Sequence, residues 1–234
     1  NLMYTITGDS QEKAELEKKY GLSINPYIKS GFEFTTNTFK SPYPTRHDGL
    51  WNITPGINAT LTQKWGEAGL SYELPLRYFS RYSDQNELDQ SFSTYVSLYP
   101  TEKLNIQLSE ELAQQGGTAG APAVKPLNSR DNTLKGSVIY KFTDKLTSEL
   151  GYKNFDREFV GELSDAFSYN ENEYFTETSY DVQESFRPYT GYHLGKIDFD
   201  ENRSRDAIYH EVPVGARGVL PWDVKGAILE SSKV

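Results

Sequence analysis

Between Leu50 and Tyr82, two runs of alternating apolar and polar residues are joined by the tight connector Trp65-Gly66-Glu67-Ala68. This period of two limits the accessible folds more than any other feature of the chain. In the first run Trp51, Ile53, Ile57, Ala59 and Leu61 share one face, with Asn52, Thr54, Asn58, Thr60 and Thr62 on the other. In the second, Leu70, Tyr72, Leu74, Leu76 and Tyr78 oppose Ser71, Glu73, Arg77 and Arg81. Successive side chains of a strand point to opposite faces, so the pair of runs predicts an antiparallel hairpin with one apolar face.

The unit recurs along the chain. Leu22, Ile24, Ile28, Phe32 and Phe34 against Ser23, Asn25, Lys29 and Glu33 predict a first strand, and the hairpin above supplies the second and third. A fourth strand carries Phe92, Val96 and Leu98; a fifth Leu104, Ile106, Leu108 and Leu112; a sixth Leu134, Val138, Tyr140 and Phe142; a seventh Leu146, Leu150 and Tyr152. An acidic loop is expected over Val160 to Thr178. An eighth strand near Tyr180, Val182 and Phe186 then turns at Tyr189-Thr190-Gly191-Tyr192 into a ninth through Ile197 and Phe199. The tenth holds Ile208, Val212 and Val214, turns at Leu220-Pro221-Trp222-Asp223, and an eleventh begins at Val224. Residues 1–20 read as an N-terminal linker or short helix, with Leu2, Tyr4 and Ile6 as a remnant strand, and 21–234 as one β-barrel domain.

Connections after the even-numbered strands are tight, and those after the odd-numbered ones are long and polar. That asymmetry places all turns at one end of an up-and-down sheet, as in barrels of bacterial outer membranes. Aromatics at the expected strand ends (Trp51, Trp65, Tyr82, Tyr99, Phe142, Tyr189, Tyr192 and Trp222) match the girdles such barrels set at the lipid headgroups. Pro26, Pro55, Pro75, Pro188 and Pro213 remove ladder donors, so bulges or strand ends must host them. Ten strands and part of an eleventh, without a terminal aromatic, do not close neatly, from which missing sequence is expected at both ends.

Composition sharpens the reading. The chain has 17 Tyr and 12 Phe yet a mean hydropathy of -0.66, because its apolar residues stand almost one by one. No run approaches the ~20 apolar residues of a membrane-crossing helix, so any crossing must be made by strands. A net charge of -9 argues against a nucleic-acid partner, which needs clustered Lys and Arg. With no Cys there is no disulfide framework, Cys-based zinc site or thiol nucleophile.

Little in the sequence carries catalytic chemistry. Asp198, Asp200 and Asn202 have the one-apart spacing of a calcium loop, but Arg203 stands where an EF-hand needs Gly and Tyr209 where it needs the bidentate Glu, so a polar loop is the better account. His47, His193 and His210 lack neighbours at ligand spacing, and Gly116-Gly117-Thr118-Ala119-Gly120-Ala121 lacks the Lys of a phosphate loop. Neither a cofactor nor an enzymatic activity is expected. The polar face says more: Lys29, Glu33, Glu73, Arg77, Arg81, Glu111, Lys135, Lys141, Glu149, Lys153 and Arg157 would line a barrel lumen, and Leu70, Tyr72, Leu74, Leu76, Ile53 and Ile57 would meet lipid. Such a mixed-sign, hydrated lining suits neutral or zwitterionic polar solutes, sugars included, unless the charges pair across the barrel and plug it.

The turn-strand units Tyr99-Pro100-Thr101-Glu102-Lys103-Leu104, Lys141-Phe142-Thr143-Asp144-Lys145-Leu146 and Leu220-Pro221-Trp222-Asp223-Val224, with Gly69-Leu70-Ser71-Tyr72-Glu73-Leu74, resemble those of outer-membrane β-barrel porins of Gram-negative bacteria, including barrels encoded beside exopolysaccharide export genes. The resemblance covers Gly21 to the end and brings no catalytic or binding signature. It implies an antiparallel up-and-down transmembrane β-barrel of twelve or more strands when complete. That barrel would sit in the bacterial outer membrane as a pore or export channel for polar molecules, or as the membrane part of an envelope complex. Its partners would be membrane lipid and polysaccharide or other envelope proteins. Two alternatives stand beside it: a structural or adhesive surface barrel without transport, and a soluble carbohydrate-binding β-sandwich that buries its apolar face.

Overall fold

The computed structural model describes residues 2–5, 17–35, 47–83, 86–115, 128–160, 167–183, 186–201, 205–219 and 225–233. It is all-β. Twelve strands follow one another in chain order across one antiparallel sheet: β1 (Leu2–Thr5), β2 (Leu22–Thr35), β3 (Asp48–Gln63), β4 (Gly66–Glu73), β7 (Gln90–Thr101), β8 (Leu104–Gln115), β9 (Asn128–Lys141), β10 (Leu146–Val160), β11 (Tyr169–Tyr180), β12 (Phe186–Phe199), β13 (Ala207–Val219) and β14 (Lys225–Lys233). The short strands β5 (Leu76–Phe79) and β6 (Glu87–Leu88) lie off this path, with β5 paired to β3 and β6 to β5. Among the described residues β1 and β14 do not pair with each other, so the sheet is open where a closed barrel is expected.

Tight connections follow β3, β7, β9 and β11, and the longer ones follow β2, β8, β10 and β12, as the alternation of loop lengths predicts. The turn at Leu220-Pro221-Trp222-Asp223 lies outside the described residues, as do residues 36–46, the loop 116–127 and the acidic stretch 161–166. Of the expected N-terminal helix, Glu17–Tyr20 form one turn; residues 11–16 are outside the described part. Gly21 ends that turn with φ 66°, a left-handed conformation natural to glycine, and its N–H reaches the Glu17 carbonyl at 2.9 Å.

Two expectations about the second half are corrected. The acidic loop placed at Val160 to Thr178 is largely strand β11, and Tyr189-Thr190-Gly191-Tyr192 is not a turn but the interior of β12. Residues 181–183, between β11 and β12, lie outside both strands, so β11 gives way to β12 earlier than expected. The physical reason is that β11 shows no hydrophobic alternation: Glu171, Glu173 and Glu177 alternate with Asn170, Asn172, Thr176 and Thr178, polar on both faces. The expected third strand is also broken at Leu74-Pro75 into β4 and β5.

The prolines sit where ladders stop. Pro26 is one residue beyond the β1–β2 pairing, which ends at Thr5↔Tyr27, and Pro188 one beyond the β11–β12 pairing, which ends at Ser179↔Tyr189. Pro55 faces the break between β4 and β5 that contains Pro75. Pro213 falls in the gap of the β12–β13 register between Thr190↔Val214 and His193↔Glu211. At Pro55, Pro75, Pro188 and Pro213 the missing donor thus falls where one neighbour is absent or irregular, whereas the residue that would face Pro26 from β1 lies outside the described residues.

Candidate functional site

Cross-strand partners share a face, so the register assigns every side chain to one of two surfaces. One surface carries Ile28, Phe32, Trp51, Ile57, Leu70, Leu108, Val138, Leu150, Tyr174, Leu194 and Val214. It is uncovered: Leu150 and Ile208 are each 66% exposed, Leu108 53% and Phe32 56%. The other surface carries most of the charge, and on it lie all four buried apolar side chains of the described residues, Tyr27, Phe79, Phe175 and Tyr189. Burial is inverted relative to a soluble domain. The aromatics are packed among charges, and the aliphatic face is open.

The polar surface is built on glycine–aromatic couplets. Gly56 is paired with Tyr27, Gly69 with Tyr95, Gly151 with Phe175 and Gly195 with Tyr209. In each case a Cβ on the glycine would overlap the partner ring, so the ring lies flat over the backbone where no side chain competes. Flattening carries each tyrosine hydroxyl to a glutamate: Tyr27 donates to Glu73, Tyr95 to Glu67, and Tyr209 to Glu171 at 2.5 Å. Phe175, with no hydroxyl, instead holds the Lys135 ammonium 4.9 Å from its ring centroid.

Ion pairs tie the remaining charges. Arg157 makes two bonds to Asp131, at 2.8 and 2.6 Å, and Arg217 two to Glu177, at 2.7 and 2.8 Å. Lys29 meets Glu73 at 2.6 Å, Lys135 meets Glu149 at 3.4 Å, and His193 Nδ1 lies 2.5 Å from Glu173. At the long-loop end Arg77 contacts Asp89 at 2.6 Å and Glu87 at 2.7 Å, the latter without hydrogen-bond geometry. There too Asp48, 1% exposed, accepts the backbone N–H groups of Gly49, Arg81 and Tyr82 and pins the chain after β5.

The register brings Lys29, Glu33, Glu73, Arg77, Glu111, Lys135, Lys141, Glu149, Lys153 and Arg157 onto this one surface, while Arg81 falls in the bend beyond β5. Ile53, Ile57, Leu70, Tyr72 and Leu76 lie on the opposite surface, and Leu74 in the break between strands. Asp198 is on the apolar surface of β12 with Lys196 at 2.6 Å, Asp200 follows β12, and Asn202 is outside the described residues. No group of three potential metal ligands occurs among the described residues. Of the expected girdle, Trp65, Tyr99 and Phe142 are exposed at the tight-turn end and Trp51 at the other, its ring tilted against that of Phe32 with centroids 4.9 Å apart. Tyr82 is half-buried after β5, and Trp222 lies outside the described residues. Tyr192 is exposed within β12 and Tyr189 is buried on the polar surface under Arg217, so neither marks a strand end.

Sequence reasoning missed Glu171, Glu173, Glu177, His193, Tyr209 and Arg217, all on the polar surface of β11 to β13. The available signal was the even spacing of the three glutamates, two residues and then four, which keeps them on one face of a strand and which a solvated loop has no reason to keep.

Comparison with protein-family models, with curated proteins and with solved structures gives no match to this chain.

Proposed function

We propose that this chain forms a transmembrane β-barrel of a bacterial outer membrane, its apolar surface in lipid and its polar surface lining a passage for polar molecules, saccharides included. In that setting it acts as a pore, an export channel or the membrane part of an envelope complex. The observation that carries the reading is the inverted burial: Leu70, Leu108, Leu150 and Ile208 stand uncovered on one continuous surface. A carbohydrate-binding sandwich would pack that surface against a second sheet, and the described residues form only one.

Dimensions agree. The strands from β7 to β13 run 12 to 15 residues, above the roughly 9–11 that a tilted strand needs to cross a bilayer. From Trp51 to Leu61 the apolar surface of β3 extends ~34 Å along the strand, about 24 Å across a bilayer at ~45° tilt. That is close to the ~25 Å apolar band of outer-membrane barrels. On β10 and β11 the band ends at Tyr152 and Tyr174, beyond which Asn154, Asn170 and Asn172 hydrogen-bond to one another. A bilayer tolerates no open sheet edge, so the reading requires β1 and β14 to be paired there, with each other or with further strands.

The test is to purify the full chain and compare gel mobility in SDS with and without boiling, then measure sugar and ion flux in liposomes. Detergent dependence with a heat-dependent shift is expected, together with flux. A monodisperse, detergent-free protein without a shift would overturn the membrane reading; a shift without flux would favour the adhesive barrel. Leu150→Arg is expected to cost about 2–4 kcal/mol in a bilayer.

A further inference from the structure

Across the polar surface of β7, β8 and β9 the interlocking stops. Tyr95, Ser97, Gln107, Ser109, Lys135 and Ser137 line a hollow of about 220 Å³, open on one side. Its floor is Ser137, 5% exposed, whose Oγ has no hydrogen-bond partner. A buried hydroxyl left without a partner costs of the order of 1–3 kcal/mol, which marks a place where something else is meant to bond. Two residues toward the turn from Gln107, on the same surface, Asn105 Oδ1 is also buried without a partner and borders a neighbouring hollow of about 390 Å³.

We infer that the hollow floored by Ser137 is a binding subsite for one ring of a neutral sugar. Its hydroxyl and amide groups each both donate and accept, which matches a polyol and gives no preference to an anion or a cation. The one cation in the wall, Lys135, is engaged by Glu149 at 3.4 Å and by the Phe175 ring. Tyr95, held flat over Gly69 by its bond to Glu67, adds a half-open ring on which the apolar side of a sugar stacks. The space equals about seven waters at ~30 Å³ each, enough for a monosaccharide and below the ~300 Å³ at which drug-sized pockets begin. The inference deepens the passage reading and rests on it for the route by which sugar arrives.

The experiment is saturation-transfer NMR with D-glucose and maltotriose on the full chain in detergent micelles, wild type beside Ser137→Val, Gln107→Leu and the control Ser148→Ala on the opposite surface. Transfer to ring protons is expected in wild type and control, with at least a fivefold loss in both hollow variants and none on raising salt. Melting temperatures verify that the variants are folded, and Ser137→Ala, which removes only an unbonded hydroxyl, serves if Ser137→Val is not. Folded wild type without transfer, or variants that keep it, would overturn the subsite. Gel mobility and detergent dependence of the same samples separate the outcomes: a heat-shifting barrel that ignores sugar sinks the subsite alone, and a detergent-free protein that binds it sinks the membrane reading alone.

Discussion

The polar surface is used in two ways. Over β10 to β13 it is filled: Arg157 is locked to Asp131 on neighbouring β9, Arg217 to Glu177, His193 to Glu173 and Tyr209 to Glu171, while Phe175 and Tyr209 lie on glycines. Over β7 to β9, beside Tyr95, Glu111 and Lys135, most of the equivalent positions are short or neutral, Ser91, Ser93, Ser97, Gln107, Ser109 and Ser137, and a hollow remains. Outside β11, which is polar on both faces, both regions are polar on this surface and apolar on the other, so hydropathy alone does not distinguish them. Side-chain reach does: Glu, Arg and Tyr span to the neighbouring strand and neutralise one another, whereas Ser cannot reach and leaves both space and bonding capacity.

The contrast breaks most directly at the couplets. Gly195→Val would drive Tyr209 off the backbone and away from Glu171, and a loss of ~2–3 kcal/mol is expected in the unfolding free energy from urea titration of the protein in micelles. A smaller effect is expected of Arg157→Lys, which keeps the charge but loses the two-pronged bond to Asp131; roughly 1 kcal/mol on the same scale would fit, and no change would show that the pair is ornamental. On the apolar surface of the same strands, where Gly136 faces Leu108, the sign should reverse. At Gly136 the nearest atom to an added Cβ is Leu108 Cδ1 at 3.7 Å, so Gly136→Ala should stabilise by ~0.5 kcal/mol through the unfolded chain.

The smallest effect concerns Glu87, in the connection outside the long strands. Burial raises its pKa above the ordinary glutamate value; Arg77 opposes the shift and Asp89 adds to it. Because the folded value is the higher one, the group favours the folded connection at low pH, and that contribution fades as pH rises through the folded value. Amide exchange at Phe79 and Asp89 should therefore show more protection, relative to Glu87→Gln, at acid than at neutral pH; equal ratios at both would refute the assignment.

Much of the architecture was legible in single residues. Leu70, Leu108 and Leu150 announced a face by their spacing, and Lys29, Glu73, Arg77 and Arg157 the opposite one, because strand geometry alternates whatever the partners are. The short turn containing Glu102-Lys103 was equally plain, whereas the one after β3 was placed too late: of the expected connector Trp65-Gly66-Glu67-Ala68 only Trp65 lies in the turn, and Gly66 to Ala68 belong to β4. β11 was not, since Glu alternating with Asn and Thr carries no apolar period, nor was the role of Gly191, which resembles a turn glycine but sits where the Thr176 carbonyl and Pro213 approach closely. The open hollow was invisible as well: Ser97, Gln107 and Ser137 belong to three strands and become neighbours only through the register.

By itself, then, the sequence determined the strand period, the two unlike faces and the alternation of short and long connections, all consequences of local geometry. Tertiary structure alone decided which glutamate meets which tyrosine or arginine, which glycine accepts a ring, and where Ser137 is left without a partner. The physical reason is that those contacts depend on cross-strand register, a long-range property that no local window contains.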